Sequence, residues 1–163
     1  MGKWHKFDHI AIVIKDENLE KALNFYKKLF GFDLPKTGPY SKIIEDSGHR
    51  FCLISSRGEG KDETFIEFLT AKDSYSVDLL KGEGAIVEFC VTVDDIDEWF
   101  DKVMAMGLSP INPINGNPLV NKEEIPEGSV TKSKFFYLRP SQTFGTLIEI
   151  LERPGQPYRN REA

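Results

Sequence analysis

The spacing of apolar residues changes period along the chain, and each change marks an element. In DHIAIVI, Ile10, Ile12 and Ile14 fall on one face while His9, Ala11 and Val13 share the other, the two-residue period of a strand. From Leu19 the period lengthens. Leu19, Ala22, Leu23, Tyr26 and Phe30 recur at helical spacing, with Asn18 at the N-cap and Gly31 where a left-handed residue usually closes a helix. The same order returns in VEFCVTVDDIDEWFDKVMAMGL, where Ile96, Trp99, Phe100 and Val103 form the helical stripe and Gly107 the stop. A strand–helix unit written twice in one short chain indicates internal duplication.

Three further strands follow the first helix. KIIED, HRFCLISS and ETFIEFLT are separated by the turn-rich SGH and RGEGKD, so residues 5–70 read as one βαβββ module. Residues 71–84 are polar and Gly-punctuated, a linker. AIVEFCVTV opens a second module over 85–153, which KFFYLRP, the tight SQTFG turn and TLIEILE close. Residues 154–163 form a polar tail. Within the second module, residues 109–130 are rich in Pro, Asn and Gly, and are expected to form a mobile lid with little to offer a packed core.

Composition fits one compact domain over residues 1–163. With 40% hydrophobic residues, a chain of 163 can bury a sizeable core without disulfides or metals as staples. A net charge of -5 and a pI near 5.3 give no reason to expect a nucleic-acid partner. Cys52 and Cys90 lack zinc or redox spacing and read as reduced thiols of a cytoplasmic protein. MGKWHKFD has no apolar signal region, and no run approaches the roughly 20 apolar residues of a membrane span.

Two βαβββ halves, with DHIAIV…FYKKLFGF in one and LRPSQTFGTLIEIL closing the other, resemble the vicinal oxygen chelate superfamily. That superfamily includes glyoxalase I, methylmalonyl-CoA epimerase, extradiol dioxygenases, and the bleomycin and fosfomycin resistance proteins. The resemblance runs from about residue 5 to residue 153 and is closest to the epimerase and glyoxalase I branch. It implies an α+β fold in which the two modules form a curved, partly open mixed sheet around a central metal-binding cleft, with ligands projecting inward from the first and last strands of each half. On that pattern the ligand positions are His9, Glu67, Glu88 and Glu149. Relatives carry histidine where Glu88 stands. Homodimers are common in folds of this kind, though no residue pattern here fixes the assembly.

Alternation supports inward placement independently. Val87, Phe89, Val91 and Val93 take the helix-facing side, which puts Glu88 on the other with Cys90 and Thr92. Ile66 and Phe68 flank Glu67, and Ile148 and Ile150 flank Glu149. A carboxylate amid apolar neighbours is costly unless it is paired, protonated or on a metal. Glu88 keeps three readings: a ligand, a free acid/base, or the mark of a lineage that lost its metal. His5 and His49 read as surface residues, Cys90 as packing beside the pocket.

Three carboxylates and one neutral imidazole around a divalent ion leave the site at net −1, which lowers Lewis acidity relative to a two-histidine set. Oxygen-rich ligation favours Mn²⁺ or Mg²⁺, with Co²⁺, Ni²⁺ or Zn²⁺ also accommodated. The resemblance implies removal of a proton beside a metal-polarised carbonyl of a small-molecule thioester or hemithioacetal, by an isomerase, epimerase or lyase. Glu149 is the first candidate base, with Glu88 and Asp46 beside it; IEDSG places Asp46 where the epimerases carry a glutamate across the pocket. Asp46 reads equally as a turn residue. Glyoxalase I proper and a metal-free binding protein of the bleomycin-resistance type are the alternatives. Lys132, Lys134 and Arg139 are candidates for a cofactor phosphate or for plain solvation, and no phosphate-cradling glycine motif is present.

Overall fold

The computed structural model describes residues 4–46, 49–55, 64–71, 86–144 and 146–154. Seven strands make one mixed sheet: β1 (Trp4–Val13), β2 (Ile44–Asp46), β3 (His49–Ile54), β4 (Phe65–Ala71), β5 (Ile86–Val93), β6 (Lys134–Leu138) and β7 (Leu147–Glu152). Their order across the sheet is β2-β3-β4-β1-β5-β7-β6. β1 lies parallel to β4 and β5 parallel to β7, while β1 and β5 meet antiparallel at the centre. The duplicated unit read from the sequence thus appears as two halves joined through their first strands.

Each half carries one helix on the same side of its strands. α1 (Leu19–Phe30) ends at Gly31, whose φ of 72° is the left-handed closure anticipated. It covers Ile12, Ile14, Cys52, Ile54, Ile66 and Phe68. α2 (Ile96–Ala105) starts on two carboxylates: Asp95 accepts from the Glu98 amide at 3.0 Å, and Glu152 at the end of β7 accepts from the Ile96 amide at 2.8 Å. It covers Val93, Phe136, Leu138 and Ile150. Because side chains alternate along a strand, burying these residues under helices turns their neighbours to the concave face.

The segment 109–130 differs from expectation. Ile111, Leu119 and Ile125 are buried, and Ile111 exchanges two backbone hydrogen bonds with Tyr137, at 2.9 and 3.1 Å, along the outer edge of β6. Isolated bridges, Ile111 to Pro118 and to Tyr137 and Glu127 to Lys134, stand where the second module was expected to have a further strand. Its few apolar residues are spaced to reach the core, which the bulk composition hides. Residues 72–84 of the linker, residue 85 and the tail from 155 fall outside the described residues, as do the side chains of His5 and His49.

Candidate metal centre

Two neighbouring rows of cross-strand partners build the site. One row runs Leu53, Glu67, Ala11, Glu88, Leu147; the next runs Phe65, His9, Cys90, Glu149, Tyr137. Ala11 stands between Glu67 and Glu88, and Cys90 between His9 and Glu149, both fully buried. Strands lie about 4.8 Å apart, so these two small side chains leave a gap into which four longer ones lean from the corners.

The four side chains meet at one atom. His9 Nε2 lies 3.1 Å from Glu67 Oε2, 3.3 Å from Glu88 Oε1 and 3.2 Å from Glu149 Oε2. All four residues are buried. Three carboxylates around a single imidazole nitrogen carry more acceptor capacity than one N–H can satisfy. Ligands about 2.1 Å from an ion and at right angles around it are about 3.0 Å apart, close to the spacings seen. His9, Glu88 and Glu149 bring ligand atoms within 4.8 Å of one another and could hold a divalent cation, and Glu67 reaches the same His9 nitrogen from a further side.

Electrostatics in the metal-free protein point the same way. Burial works against charge on His9, but Cys90, Glu67 and the hydrogen bond to Asp8 outweigh it and raise its pKa well above the ordinary value. Burial, then the charge of Glu149, drives the Cys90 thiol well above its usual range. Burial, then the charge of Glu149, raises the Glu88 pKa, tempered by hydrogen bonds from His9 and Tyr137. Glu88 therefore holds its proton more tightly than an exposed glutamate does.

These groups line a cleft with about 600 Å³ of space, counting its open mouth. Its walls are Phe51, Leu53, Leu69, Phe135 and Leu151; Tyr40, Thr131, Tyr137 and Arg153 add polar atoms. Asp46 lines it too, but from β2 at one end of the sheet. Its Oδ1 accepts from the Ser129 amide at 2.9 Å and hydroxyl at 2.7 Å, and its Oδ2 from the amides of Val130 and Thr131 at 3.0 and 3.3 Å. Those donors precede β6 at the other end, so Asp46 clasps the sheet's two margins together. Gly128 makes room for it, since a Cβ there would lie 2.8 Å from Asp46 Oδ2. Burial would raise the Asp46 pKa; the Ser129 hydroxyl and the three amides lower it.

Of the remaining sequence candidates, Lys132, Lys134 and Arg139 do not line the cleft, and Arg139 donates to the Gly116 carbonyl at 2.9 Å. Asp8, Tyr137 and Arg153 were not anticipated. Asp8 is fully buried beside His9 and bonded to Arg153. Tyr137 is the cross-strand neighbour of Glu149 and a hydrogen-bond donor to Glu88.

With this geometry in hand, comparison places the chain among known proteins. Residues 6–137 match the Glyoxalase/Bleomycin resistance protein/Dioxygenase superfamily, and the chain belongs to that superfamily. Its fold is similar to that of methylmalonyl-CoA epimerase from Mycobacterium tuberculosis (TM-score 0.64, 19% identity, covering 90% of this chain and 87% of that one). It is also similar to a variant of Streptomyces coelicolor methylmalonyl-CoA epimerase in complex with 2-nitronate-propionyl-CoA (TM-score 0.67, 19% identity, 94% and 98% covered). A hypothetical protein from Bacillus halodurans C-125 is similar at TM-score 0.65 and 22% identity, with 93% and 96% covered. No curated protein matches by sequence. Among the described residues, no helix is long and apolar enough to cross a membrane.

Proposed function

We propose that the protein is a metal-dependent epimerase or related isomerase, moving a proton on the carbon beside the carbonyl of a small-molecule thioester. The observation that carries this reading is the convergence of Glu67, Glu88 and Glu149 on His9 Nε2 in a cleft that also carries Phe51, Leu53, Leu69, Phe135 and Leu151. A purely sequestering groove has no use for three buried carboxylates. The resemblance to epimerases, one solved with a coenzyme A thioester analogue, supports the substrate class.

His9, Glu67, Glu88 and Glu149 would hold the ion. When bound, a divalent cation would polarise the substrate carbonyl and offset the charge that builds on its oxygen as the neighbouring proton leaves. Glu149 is the base: its Oε2 faces His9, leaving Oε1 to take the proton from carbon and give it back. Phe51, Leu53, Leu69 and Phe135 keep water from the deprotonated carbon. Asp46 is assigned to holding the wall of the cleft, because four donors occupy a carboxylate that a base would need free.

Chelator-stripped protein titrated with Mn²⁺, Mg²⁺, Co²⁺, Ni²⁺ and Zn²⁺ tests the site. An ion that binds only the native state should add about 2.7 kcal/mol at a hundredfold excess over Kd. The loaded protein should then exchange deuterium into the α-carbon of methylmalonyl-CoA or another acyl-CoA, and Glu149→Gln should lose that exchange. A melting temperature unmoved by every metal would favour the metal-free binding reading instead.

A further inference from the structure

We propose that Asp8, clamped by Arg153, is the positioning residue of the metal centre, turning the His9 ring so that Nε2 and not Nδ1 faces the three carboxylates. The inference rests on the metal reading above. Its starting point is a fault in the strand pairing. Phe7 pairs with Val91 and His9 with Cys90, so β1 takes two steps where β5 takes one, and Asp8 is the extra residue of a β-bulge. In a regular strand Asp8 and His9 would point to opposite faces. The bulge brings both inward. Asp8 Oδ1 then reaches 3.0 Å from His9 Nδ1.

Asp8 is itself fixed. Arg153, just past β7, sets its Nε 3.1 Å from Asp8 Oδ2 and bonds Oδ1 through Nη2, a two-pronged grip. The same guanidinium bonds the Tyr40 hydroxyl through Nη1 and lies 4.6 Å over the Tyr40 ring. Both partners are nearly closed to solvent, with side chains 6% and 1% exposed. A buried ion pair contributes little net stability for its desolvation cost. Here it gives the ring an acceptor that only Nδ1–H can meet, which is how carboxylates beside ligating histidines choose the metal-facing nitrogen. Arg153 also settles what the Nδ1 side is for. Asp8, His9 and Cys90 are close enough to share a cation, but a fixed guanidinium on Asp8 repels one there. Nε2 is left as the metal side.

Removing Asp8 alone strands a buried guanidinium, so the test uses two paired variants, Asp8→Asn with Arg153→Gln, and Asp8→Leu with Arg153→Met. Both remove the ion pair without leaving an unpaired charge, and their melting curves report folding. Zn²⁺ and Co²⁺ affinities are measured by competition titration, and the His9 ring N–H is followed by NMR in metal-free and zinc-loaded protein. The expected result is a 10- to 100-fold loss of affinity in the folded variants. A slowly exchanging Nδ1–H resonance should also be present in the parent and absent from the leucine–methionine variant. Unchanged affinity in a folded variant overturns the positioning role while leaving the metal site intact. A parent protein that binds none of Mn²⁺, Mg²⁺, Co²⁺, Ni²⁺ and Zn²⁺ overturns the metal reading and this inference together.

Discussion

Glu88 and Asp46 are both buried carboxylates on the cleft, yet their surroundings push them in opposite directions. Burial and the charge of Glu149 raise Glu88. A carboxylate whose folded pKa exceeds its unfolded one contributes stability at low pH that is lost as pH rises through the folded value. Metal-free Glu88→Gln should therefore melt above the parent at neutral pH and lose that advantage in acid; calorimetry across pH checks it. In the loaded protein, Glu88→His should make the ligand set neutral and tighten zinc or nickel, and unchanged affinity would rule out ligation. Asp46 runs the other way. Amides and a hydroxyl hold its pKa down, so its contribution is complete above the ordinary aspartate value of about 3.9 and fades as pH falls through the lowered one. Asp46→Asn should cost about 1.5–3 kcal/mol near neutrality. The gap to the parent should close in acid. A constant gap would mean the charge contributes nothing.

Among the elements, the central pair β1 and β5 decides whether a site exists. The family resemblance singled out His9, Glu67, Glu88 and Glu149, and period-two alternation supported it by turning the three glutamates away from their apolar neighbours. Alternation also explains what stayed out of sight. Asp8 carries the parity of Ile10 and Ile12, and only the bulge, a fact of pairing rather than of sequence, reverses it. Arg153 sits at a strand end, where no pattern constrains direction. In residues 109–130, three well-spaced apolar side chains, Ile111, Leu119 and Ile125, reach the core despite the surrounding Pro, Asn and Gly. The amide of Ile111 should accordingly exchange slowly in native protein, and fast exchange there would restore the lid. Ala11 offers the sharpest element-level test. Ala11→Leu would fill the gap between Glu67 and Glu88 and cost about 1–3 kcal/mol from overpacking. The folded variant should no longer gain stability from any of the five metals, and an undiminished metal response would show that the gap is not the site.

Among the described residues, the two halves meet in the centre through β1 against β5 and the Asp8–Arg153 pair, and at the margins through Asp46 against residues 129–131. The first is long-range: His9 and Glu88 are 79 residues apart, and Arg153 meets Asp8 across 145. Chains dominated by such distant pairings fold slowly, since loop closure precedes reward. The residues around His9 come from β1, β4, β5 and β7, and Glu149 and Arg153 arrive last from the ribosome. While only the first half has emerged, His9 and Glu67 offer an ion two donors of the four, and the nascent chain has nothing with which to retain it. If these four residues hold an ion as proposed, loading would be an event of the finished polypeptide, and a cell starved of that ion would be expected to accumulate uncharged protein rather than stalled fragments.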